Sequence, residues 1–490
     1  MEKILSRFQD KMNRLPDYAD LRYVETERVR IRTKDGALDE VKETLSRGAG
    51  FRVLHAGAFG FSGTRDLSEK SLSHHLHQAR RMASRFSKIR QAEVKFVPAK
   101  PVKAQWQTPI GKDPWKLSVE EKTAPLLEAQ RHLKSCPWVD SASGVLDFTR
   151  KKIIFISSEG SRIEQTLYRT GGWLHAETWQ GGEKIRRSWP GPTGLFRGAG
   201  YEVIDALKFP REARRLGEEL KELRQSPEAP CGPFDLILTG SVLALQIHET
   251  FGHGSESDRL FGYEDNFGGR TFLDPSFLRK SRVASSAVNL VSDGTSSFFP
   301  SPPWGRGKGE GVGTFAYDDE GMVPRKVEII RKGIFQGYLT NRETAFFLGL
   351  PASSGNAVAE DWSHYPLIRM TNTNLMPGKG TLQEMISGVR DGFLLDNELS
   401  WSVDQRRYDF QIGAETGYRI KKGKIRGMVR FPFYHGNTPD FWRSCDRVAG
   451  KKEWAFWGFA DCGKGGPCQE AFTGHGLSPA RFRNVPFGRE

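Results

Sequence analysis

The segment Gln246–Arg259 concentrates side chains that can bind a metal ion and move a proton. It reads Gln-Ile-His-Glu-Thr-Phe-Gly-His-Gly-Ser-Glu-Ser-Asp-Arg, so that His248, Glu249 and His253 form an HExxxH pattern. Imidazole nitrogens are common zinc ligands, and a carboxylate beside them can act as a general base. The pattern indicates a hydrolytic metal site, whereas the simpler interpretation is that these histidines are structural or solvated.

The spacing of the two histidines requires an irregular helix. Residues four apart lie about 40° apart around an α-helix, whereas residues five apart lie about 140° apart. His248 and His253 therefore reach one ion only if the helix bulges or ends between them. Gly252 predicts such a bulge, because glycine adopts conformations that other residues avoid.

Apolar residues precede the motif, so His248 and Glu249 are expected on a partly buried helix. The apolar positions are Val242, Leu243, Leu245, Ile247 and Phe251. A buried carboxylate is unfavourable unless a cation or hydrogen bonds compensate its charge. Glu249 would hold a water molecule polarised by the ion, accept its proton and return that proton to the leaving amine.

Two histidines leave a zinc site short of a third protein ligand, and spacing alone does not select one. Glu256 and Asp258 are close in sequence, whereas Cys462 and Cys468 lie far along the chain among glycines. A thiolate is a good zinc ligand, so each cysteine is a candidate. His475, in a Gly-His-Gly segment, could lie close to Cys462, but a functional role for it is disfavoured.

The remaining histidines and the basic composition favour ordinary surface roles. His74, His75 and His77 lie on a predicted helix, where neighbours diverge by about 100° and cannot all face one ion. With 73 Lys and Arg against 59 Asp and Glu, the formal charge of +14 permits an anionic partner. Because no helix-turn-helix, zinc-finger or RNA-binding pattern accompanies this charge, nucleic-acid binding is not expected.

The elements that position these residues are predicted to form two domains of an α+β protein, separated by the linker Ser226–Pro233. Residues 1–230 are predicted to form an α/β domain. Residues 231–490 are predicted to form a mainly antiparallel β domain that carries the HExxxH helix. The Gly- and Pro-rich stretch Asp293–Gly313 is predicted to be a long surface loop, and it lacks a phosphate-binding pattern.

Local patterns locate the main elements of the first part. Alternation of polar and apolar residues over Arg22–Arg32, followed by Asp-Gly at residues 35–36, predicts a β-hairpin. Ser118 and Glu121 predict a capping box at the start of a helix. A Gly-Gly pair at residues 171–172 predicts one of the turns of a β-meander.

Cysteine usage and hydropathy limit the class of protein. The chain has 490 residues and five cysteines, an odd and small number that excludes a disulfide-stapled secreted scaffold. The N-terminus has no apolar signal-peptide region, and no apolar stretch approaches the roughly 18 residues of a membrane helix. We therefore expect a soluble cytoplasmic protein, in which a conspicuous cysteine is a ligand or a reactive thiol.

Motifs along nearly the whole chain resemble those of the TldD/PmbA family, metalloproteases once described as modulators of DNA gyrase. The HExxxH segment and the Gly-Ser-Glu-Ser-Asp that follows it are similar to the metal motif of this family. The other similar segments, in the family's order, are Gly48–Phe61, Tyr317–Gly321, Gly337–Leu339, Arg369–Thr373, Met376–Gly378 and Cys462–Gly465.

The resemblance implies a zinc site with His248, His253 and Cys462 as ligands and Glu249 as the catalytic carboxylate. It implies hydrolysis of unfolded peptides or flexible protein segments, held as extended strands at a sheet edge. It also implies a homodimer, or a heterodimer with a homologous metal-lacking subunit, and this chain resembles the active type because it keeps every motif residue. The alternative is a non-catalytic, metal-stabilised subunit or binding module with a basic surface.

Overall fold

The computed structural model describes residues 2–15, 18–90, 92–295 and 310–488. Within these ranges, helices combine with two nine-stranded sheets and three smaller ones, and most strand pairs are antiparallel. The predicted α+β class is therefore confirmed. Residues 296–309, which make up most of the predicted loop Asp293–Gly313, lie outside the described residues, so that loop stays a prediction.

The first sheet is built from long antiparallel strands. Its strands from the first half are β1 (Tyr18–Lys34), β2 (Ala37–His55), β3 (Ala58–Thr64), β4 (Lys103–Gln107), β5 (Ser141–Ser157), β6 (Arg162–Gln180), β7 (Glu183–Trp189) and β8 (Leu195–Gly198). The spatial order is β8-β6-β5-β1-β2-β3, and β4 and β7 also pair with β6. Asp35 and Gly36 have positive φ angles in the β1–β2 turn, which confirms the predicted hairpin.

The prediction of a turn at residues 171–172 is wrong, because strand β6 runs without interruption through both glycines. The physical reason is close packing against the neighbouring strands, since β8 pairs with β6 in antiparallel orientation at these residues. A Cβ atom on Gly171 would lie 2.4 Å from the Phe196 ring and 2.5 Å from the Leu195 carbonyl oxygen of β8. A Cβ atom on Gly172 would lie 2.5 Å from the Val145 carbonyl oxygen of β5. The two glycines therefore allow close approach of the neighbouring strands rather than a change of direction.

Helices of the first half pack against this sheet and against one another. They are α1 (Glu2–Asn13), α2 (Glu69–Phe86), α3 (Val119–Lys134), α4 (Glu202–Leu207) and α5 (Phe209–Gln225). The predicted capping box is confirmed at the start of α3, where Ser118 and Glu121 exchange side-chain to backbone hydrogen bonds. Buried leucines of α3 and α5, among them Leu126 and Leu216, join the main hydrophobic core.

Short strands dominate the second half. They are β9 (Gly232–Leu238), β10 (Leu290–Ser292), β11 (Glu310–Gly311), β12 (Val327–Arg331), β13 (Ile334–Phe335), β14 (Ala357–Val358), β15 (Leu367–Ile368), β16 (Thr373–Leu375), β17 (Asp391–Leu395), β18 (Glu398–Val403), β19 (Asp409–Ala414), β20 (Thr416–Lys421), β21 (Lys424–Arg430), β22 (Phe433–Asn437), β23 (Cys445–Val448), β24 (Ala455–Lys464), β25 (Gln469–Leu477) and β26 (Ala480–Phe487). The second large sheet has the order β18-β19-β22-β26-β9-β17-β20-β21, with β23 paired to β26.

The α-helices described in the second half lie between these strands. They are α6 (Gly240–Ile247), α7 (Ser257–Leu260), α8 (Arg342–Phe347), α9 (Leu382–Ser387) and α10 (Thr438–Arg443). Strand β9 is central in the sheet, and its last three residues, Leu236 to Leu238, are fully buried. Helix α6 begins directly after β9, so the segment that carries HExxxH starts from the middle of the core. No helix within the described ranges is long and apolar enough to cross a membrane.

Contacts between the two halves are extensive. Strand β11 of the second half pairs with β8 of the first sheet. Arg52 on β2 forms buried ion pairs with Asp20 and with Glu320, at 2.7 Å in each case. The predicted boundary at residue 230 falls between α5 and β9, and the division into two domains stays a prediction because the halves share a sheet.

Candidate metal centre

Helix α6 changes its winding where the HExxxH motif begins. The helix is apolar on all sides and buried over its whole length, and it continues into a π-helical turn at His248–Gly252. The wider turn contains an extra residue, which brings side chains five apart to the same side. The bulge predicted from the histidine spacing is thereby confirmed.

Gly252 ends this turn at a place where a side chain has no room. A Cβ atom there would lie 2.3 Å from the Met370 sulfur and 3.1 Å from the Ile247 carbonyl oxygen. Both distances are shorter than ordinary van der Waals contacts. A side chain at this position would therefore displace Met370 or shift the turn, whereas the φ angle of Gly252 is an ordinary one.

The structure brings His248, His253 and Cys462 together in the core. One ligand atom from each residue lies within 4.8 Å of the other two, and all three residues are buried. The two imidazole rings are 4.7 Å apart between centroids, and Cys462 Sγ lies 3.5 Å from His253 Nε2. Cys462 reaches the helix from strand β24, more than 200 residues along the chain.

Glu256 orients His253 and does not join the cluster. Nδ1 of His253 donates to Glu256 Oε2 at 2.8 Å, which leaves Nε2 to face the cysteine. The same carboxylate accepts hydrogen bonds from Arg259 and from Lys464, both at 3.0 Å. Burial alone would raise the pKa of Glu256, but Lys464 and then His253 hold it well below its usual range.

Asp258, another candidate left open by the spacing, is also engaged elsewhere. Its Oδ1 accepts a hydrogen bond from Lys464 Nζ at 2.8 Å, inside the protein. The lysine of the Cys-Gly-Lys segment therefore fixes two carboxylates behind the cluster. Cys468 is exposed, in contrast to buried Cys462.

His475 supports His248 in the way that Glu256 supports His253. Nδ1 of His475 lies 3.1 Å from the Thr373 carbonyl oxygen, an acceptor, so Nδ1 carries the proton. Its Nε2 then accepts from Nδ1 of His248 at 2.9 Å, and Nε2 of His248 is left to bind an ion. Burial, followed by the charge of His248, lowers the pKa of His475 well below its usual value.

The charges around the cysteine favour a thiolate. Burial would raise the pKa of the Cys462 thiol, but Arg369 and the two histidines hold it well below its usual value. Arg369 also donates a hydrogen bond to the Cys462 carbonyl oxygen. Two imidazole nitrogens and a thiolate are donors that zinc prefers, so the donor set fits a zinc ion.

Glu249 lies beside the cluster and is paired with an arginine. Arg407 Nη1 donates to Glu249 Oε2 at 2.5 Å and its Nη2 donates to the Gly268 carbonyl oxygen at 3.2 Å. Burial raises the pKa of Glu249, but His253 and then Arg407 lower it below its usual value. Glu249 is therefore a carboxylate that can accept a proton. No sequence signal pointed to Arg407, which is 158 residues from Glu249.

A cavity of about 160 Å³ opens onto these groups. Its walls include Glu249 and the three cluster residues, together with Thr193, Glu398 and Trp401. Burial raises the pKa of Glu398 to about 7, so the Glu398 side chain is mostly uncharged at acidic pH. Trp401 is half-exposed at the mouth, on the edge strand β18.

The other histidines singled out in the sequence lie away from this centre. His74, His75 and His77 are on helix α2, with His74 and His77 exposed. His75 contacts Ser62 Oγ through its Nδ1 at 2.8 Å. These three side chains do not contribute to the metal cluster, as their spacing on the helix predicted.

Comparison with known proteins gives two matches to family models. Residues 232–487 match the PmbA/TldA metallopeptidase C-terminal domain, and residues 19–83 match domain 1 of the same metallopeptidases. The C-terminal match covers more than half of the chain. This chain belongs to the PmbA/TldD metallopeptidase family. The resemblance stated from the motifs is therefore confirmed.

Relatives with curated names cover most or about half of the chain. A metalloprotease of Methanothermobacter thermautotrophicus is 28% identical over 99% of this chain and 97% of its own length. A metalloprotease TldD homolog of Haemophilus influenzae is 25% identical over 99% and 96%. A zinc metalloprotease TldD homolog of Saccharolobus solfataricus is 30% identical over 49% and 48%.

Solved structures of low identity share the fold. The crystal structure of TldE from Thermococcus kodakarensis superimposes with a TM-score of 0.71 at 16% identity, covering 100% of both chains. A candidate modulator of a DNA gyrase from Thermotoga maritima gives a TM-score of 0.74 at 17% identity, covering 99% of this chain and 100% of that one. This chain thus shares its fold with both solved structures despite the low sequence identity.

Proposed function

We propose that this protein is a zinc-dependent metallopeptidase that cleaves unfolded peptides or flexible protein segments, and that it is an active member of its family. One observation carries the proposal. His248, His253 and Cys462 converge in the same cavity that holds the ionised Glu249. The names of the relatives, which are metalloproteases, point to the same reaction class.

In the proposed reaction, His248 and His253 would hold zinc through Nε2 and Cys462 would hold it through Sγ. A zinc ion held there supplies a Lewis acid that polarises a peptide carbonyl group and a water molecule. Glu249 accepts the proton of the attacking water and transfers it to the nitrogen of the leaving amine. Arg407 keeps the Glu249 carboxylate ionised and in place before the substrate enters.

The edge strand β18 favours an extended peptide as the substrate. It is the last strand on one side of the second sheet, and its residues Glu398 and Trp401 line the cavity. A peptide that pairs with this edge would be held through its backbone, with little selection for side chains. A cavity of about 160 Å³ admits a short segment of chain, so a compact folded protein does not fit.

We also propose that the protein assembles with a second subunit, either another copy or a homologous chain. The structural relative named TldE is one example of such a homologous chain. Measuring the mass of the purified protein in solution tests the homodimer. A monomer that gains peptidase activity only when a homologous chain is added would identify the heterodimer instead.

The variant Glu249→Gln tests the reaction. It keeps the size of the side chain but removes the proton acceptor, so cleavage of an unstructured peptide should fall by roughly 100-fold or more. Its zinc content should remain that of the wild type, because Glu249 is not a ligand. The exposed Glu43→Gln variant is the matched control and should keep full activity.

Cleavage at the wild-type rate by Glu249→Gln, with zinc still bound, would overturn the proposed mechanism. Wild-type protein that holds zinc but cleaves no unstructured peptide, alone or with a homologous chain, would instead support a non-catalytic metal-stabilised subunit. The rate of peptide cleavage and the zinc content are therefore measured on the same samples.

A further inference from the structure

A second cavity lies on the other side of the β24–β25 hairpin from the metal centre. Ala460 lines this cavity, whereas its neighbours Phe459 and Asp461 line the catalytic one. The β24–β25 hairpin, whose register is irregular between Phe459 and Cys462, thus contributes residues to both cavities and lies between them. The second cavity has a volume of about 100 Å³ and lies between the first sheet and the second half of the chain.

The floor of this cavity is one face of the first sheet. Arg28 on β1, Thr149 on β5 and Arg169 on β6 are register partners and form one row across three strands. Thr26 and Lys151 are partners in an adjacent row. Register partners direct their side chains to the same face, so these polar groups point into one space.

The roof comes from the second half of the chain. Arg369, which follows strand β15, lines the cavity together with Phe472 of β25. The Arg169 guanidinium lies over the Phe472 ring, 4.7 Å from its centroid. Three cationic side chains that are far apart in sequence therefore meet here: Lys151, Arg169 and Arg369.

These three cations are buried without carboxylate partners. Lys151, Arg169 and Arg369 are only 6%, 9% and 2% exposed. Among the described residues, none of them forms an ion pair, and each is bonded to backbone carbonyl oxygens instead. Asp319, whose charge reaches Lys151 and Arg169, is paired with Arg22 at 3.5 Å. The positive charge is thus only partly compensated, by Asp319 and by the Cys462 thiolate near Arg369. Buried charges without full compensation are unfavourable, so an anion here would stabilise the fold.

Several polar atoms of the cavity also lack hydrogen-bond partners within the described part of the chain. They are Thr26 Oγ1, Thr149 Oγ1 and Arg369 Nε. All three can donate a hydrogen bond to an oxygen atom. The acidic residues of the lining, Glu360 and Glu470, are exposed at the rim, where Glu360 Oε2 accepts from the Glu470 amide at 2.8 Å. The interior of the cavity is thus positively charged, and its rim is negatively charged.

We propose that this cavity binds a small oxyanion, either inorganic phosphate or the carboxylate at the end of a peptide. Its oxygen atoms would accept hydrogen bonds from the threonine hydroxyls and from Lys151, Arg169 and Arg369. The volume admits one such group and excludes a nucleic acid or a folded acidic protein. Arg369 connects this site to the metal centre, because it also contacts Cys462. The existence of the site does not depend on the proposed peptidase activity.

Calorimetric titration of the full-length protein with inorganic phosphate, at ionic strength held constant with chloride, tests the site. Saturable binding is expected. Arg169→Met should weaken the affinity by about tenfold, the loss expected for a hydrogen bond to a charged group. Arg211→Met removes a highly exposed arginine and is the matched control, which should bind phosphate as the wild type does.

A second variant keeps the proposal testable if Arg169→Met does not fold. Thr149→Val replaces a hydroxyl that already lacks a partner by a methyl group of similar size, so folding should be unaffected. Its affinity for phosphate should still fall several-fold. Thermal unfolding supplies the complementary readout, because phosphate should raise the melting temperature of the wild type more than that of either cavity variant.

A short peptide with a free C-terminus, compared with its C-terminal amide, distinguishes the two sources of the oxyanion. Displacement of phosphate by the free peptide alone identifies the peptide carboxylate as a ligand. If neither peptide displaces phosphate, the ligand of the site is free phosphate and not a peptide carboxylate. No saturable binding of phosphate or of the free peptide, or equal binding by Arg169→Met and Arg211→Met, would overturn the proposal.

Discussion

Single hydrogen bonds decide which atoms of the metal cluster are left to bind an ion. Nδ1 of His248 is engaged by His475, and Nδ1 of His253 is engaged by Glu256. The motif and the family resemblance predicted the three donors that the structure brings together. The support from His475 was not predicted, because it depends on a contact across 227 residues that leaves no local pattern.

Exchange of each cysteine for serine tests the third ligand. Cys462→Ser should lose most of its zinc on dialysis, because a hydroxyl replaces the thiolate in the buried cluster. Cys468→Ser is the matched control, since Cys468 is exposed, and should keep its zinc. Metal content by mass spectrometry checks both variants. Loss of zinc from Cys468→Ser, with zinc retained by Cys462→Ser, would show that Cys468 and not Cys462 is the third ligand.

At the scale of elements, the π-helical turn brings His248 and His253, which are five residues apart, to the same side of the helix. Both can then face one ion. On a regular helix the two histidines would diverge by about 140°, and the extra residue in the turn removes this divergence. Gly252 fits under Met370 at the end of the turn. The sequence predicted this irregularity because helix geometry and the HExxxH spacing conflict.

Gly252→Ala should disturb both stability and metal binding. Its Cβ atom would lie 2.3 Å from the Met370 sulfur, and such overpacking costs about 1–3 kcal/mol in the free energy of unfolding. The shift of the turn should also lower zinc affinity. Gly254→Ala, whose Cβ atom would lie 3.5 Å or more from its neighbours, is the control in the same segment. Equal melting temperatures and zinc affinities for the two variants would contradict this role of Gly252.

The elements that were predicted correctly depend on short-range chemistry. The turn at residues 35–36 and the capping box of Ser118 are both determined by neighbours within a few residues. The glycines at 171–172 were misinterpreted because they let β8 and β5 lie close to β6, contacts that no local pattern shows. The edge position of β18 likewise depends on the order of strands in the finished sheet.

At the scale of the whole molecule, two family segments meet in a buried ion-pair cluster between the halves. Arg52 belongs to the Gly48–Phe61 segment and Glu320 to the Tyr317–Gly321 segment, and their side chains are 2.7 Å apart. The Arg52 guanidinium also lies within 6 Å of four aromatic rings, including those of Tyr18 and Tyr365. These two segments, which were identified in the sequence as motifs similar to those of the family, therefore connect the two halves of the fold.

Arg52→Met should destabilise the entire chain. It leaves Asp20 and Glu320 buried without their cation, which costs about 3–5 kcal/mol. Arg7→Met breaks an exposed ion pair with Glu69 and should have little effect on stability. Thermal unfolding followed by circular dichroism compares the two variants. A melting temperature of Arg52→Met equal to that of Arg7→Met would show that this cluster does not hold the halves together.

The metal centre is itself a product of the whole fold, because its donors come from helix α6 and from the distant strand β24. A crystal structure of the zinc-loaded protein, with anomalous scattering measured at the zinc edge, tests the assignment most directly. We predict one peak per chain, bounded by Nε2 of His248, Nε2 of His253 and Sγ of Cys462, with Glu249 beside it. A peak bound by Glu256, Asp258 or Cys468, or no peak at this cluster, would contradict the assignment.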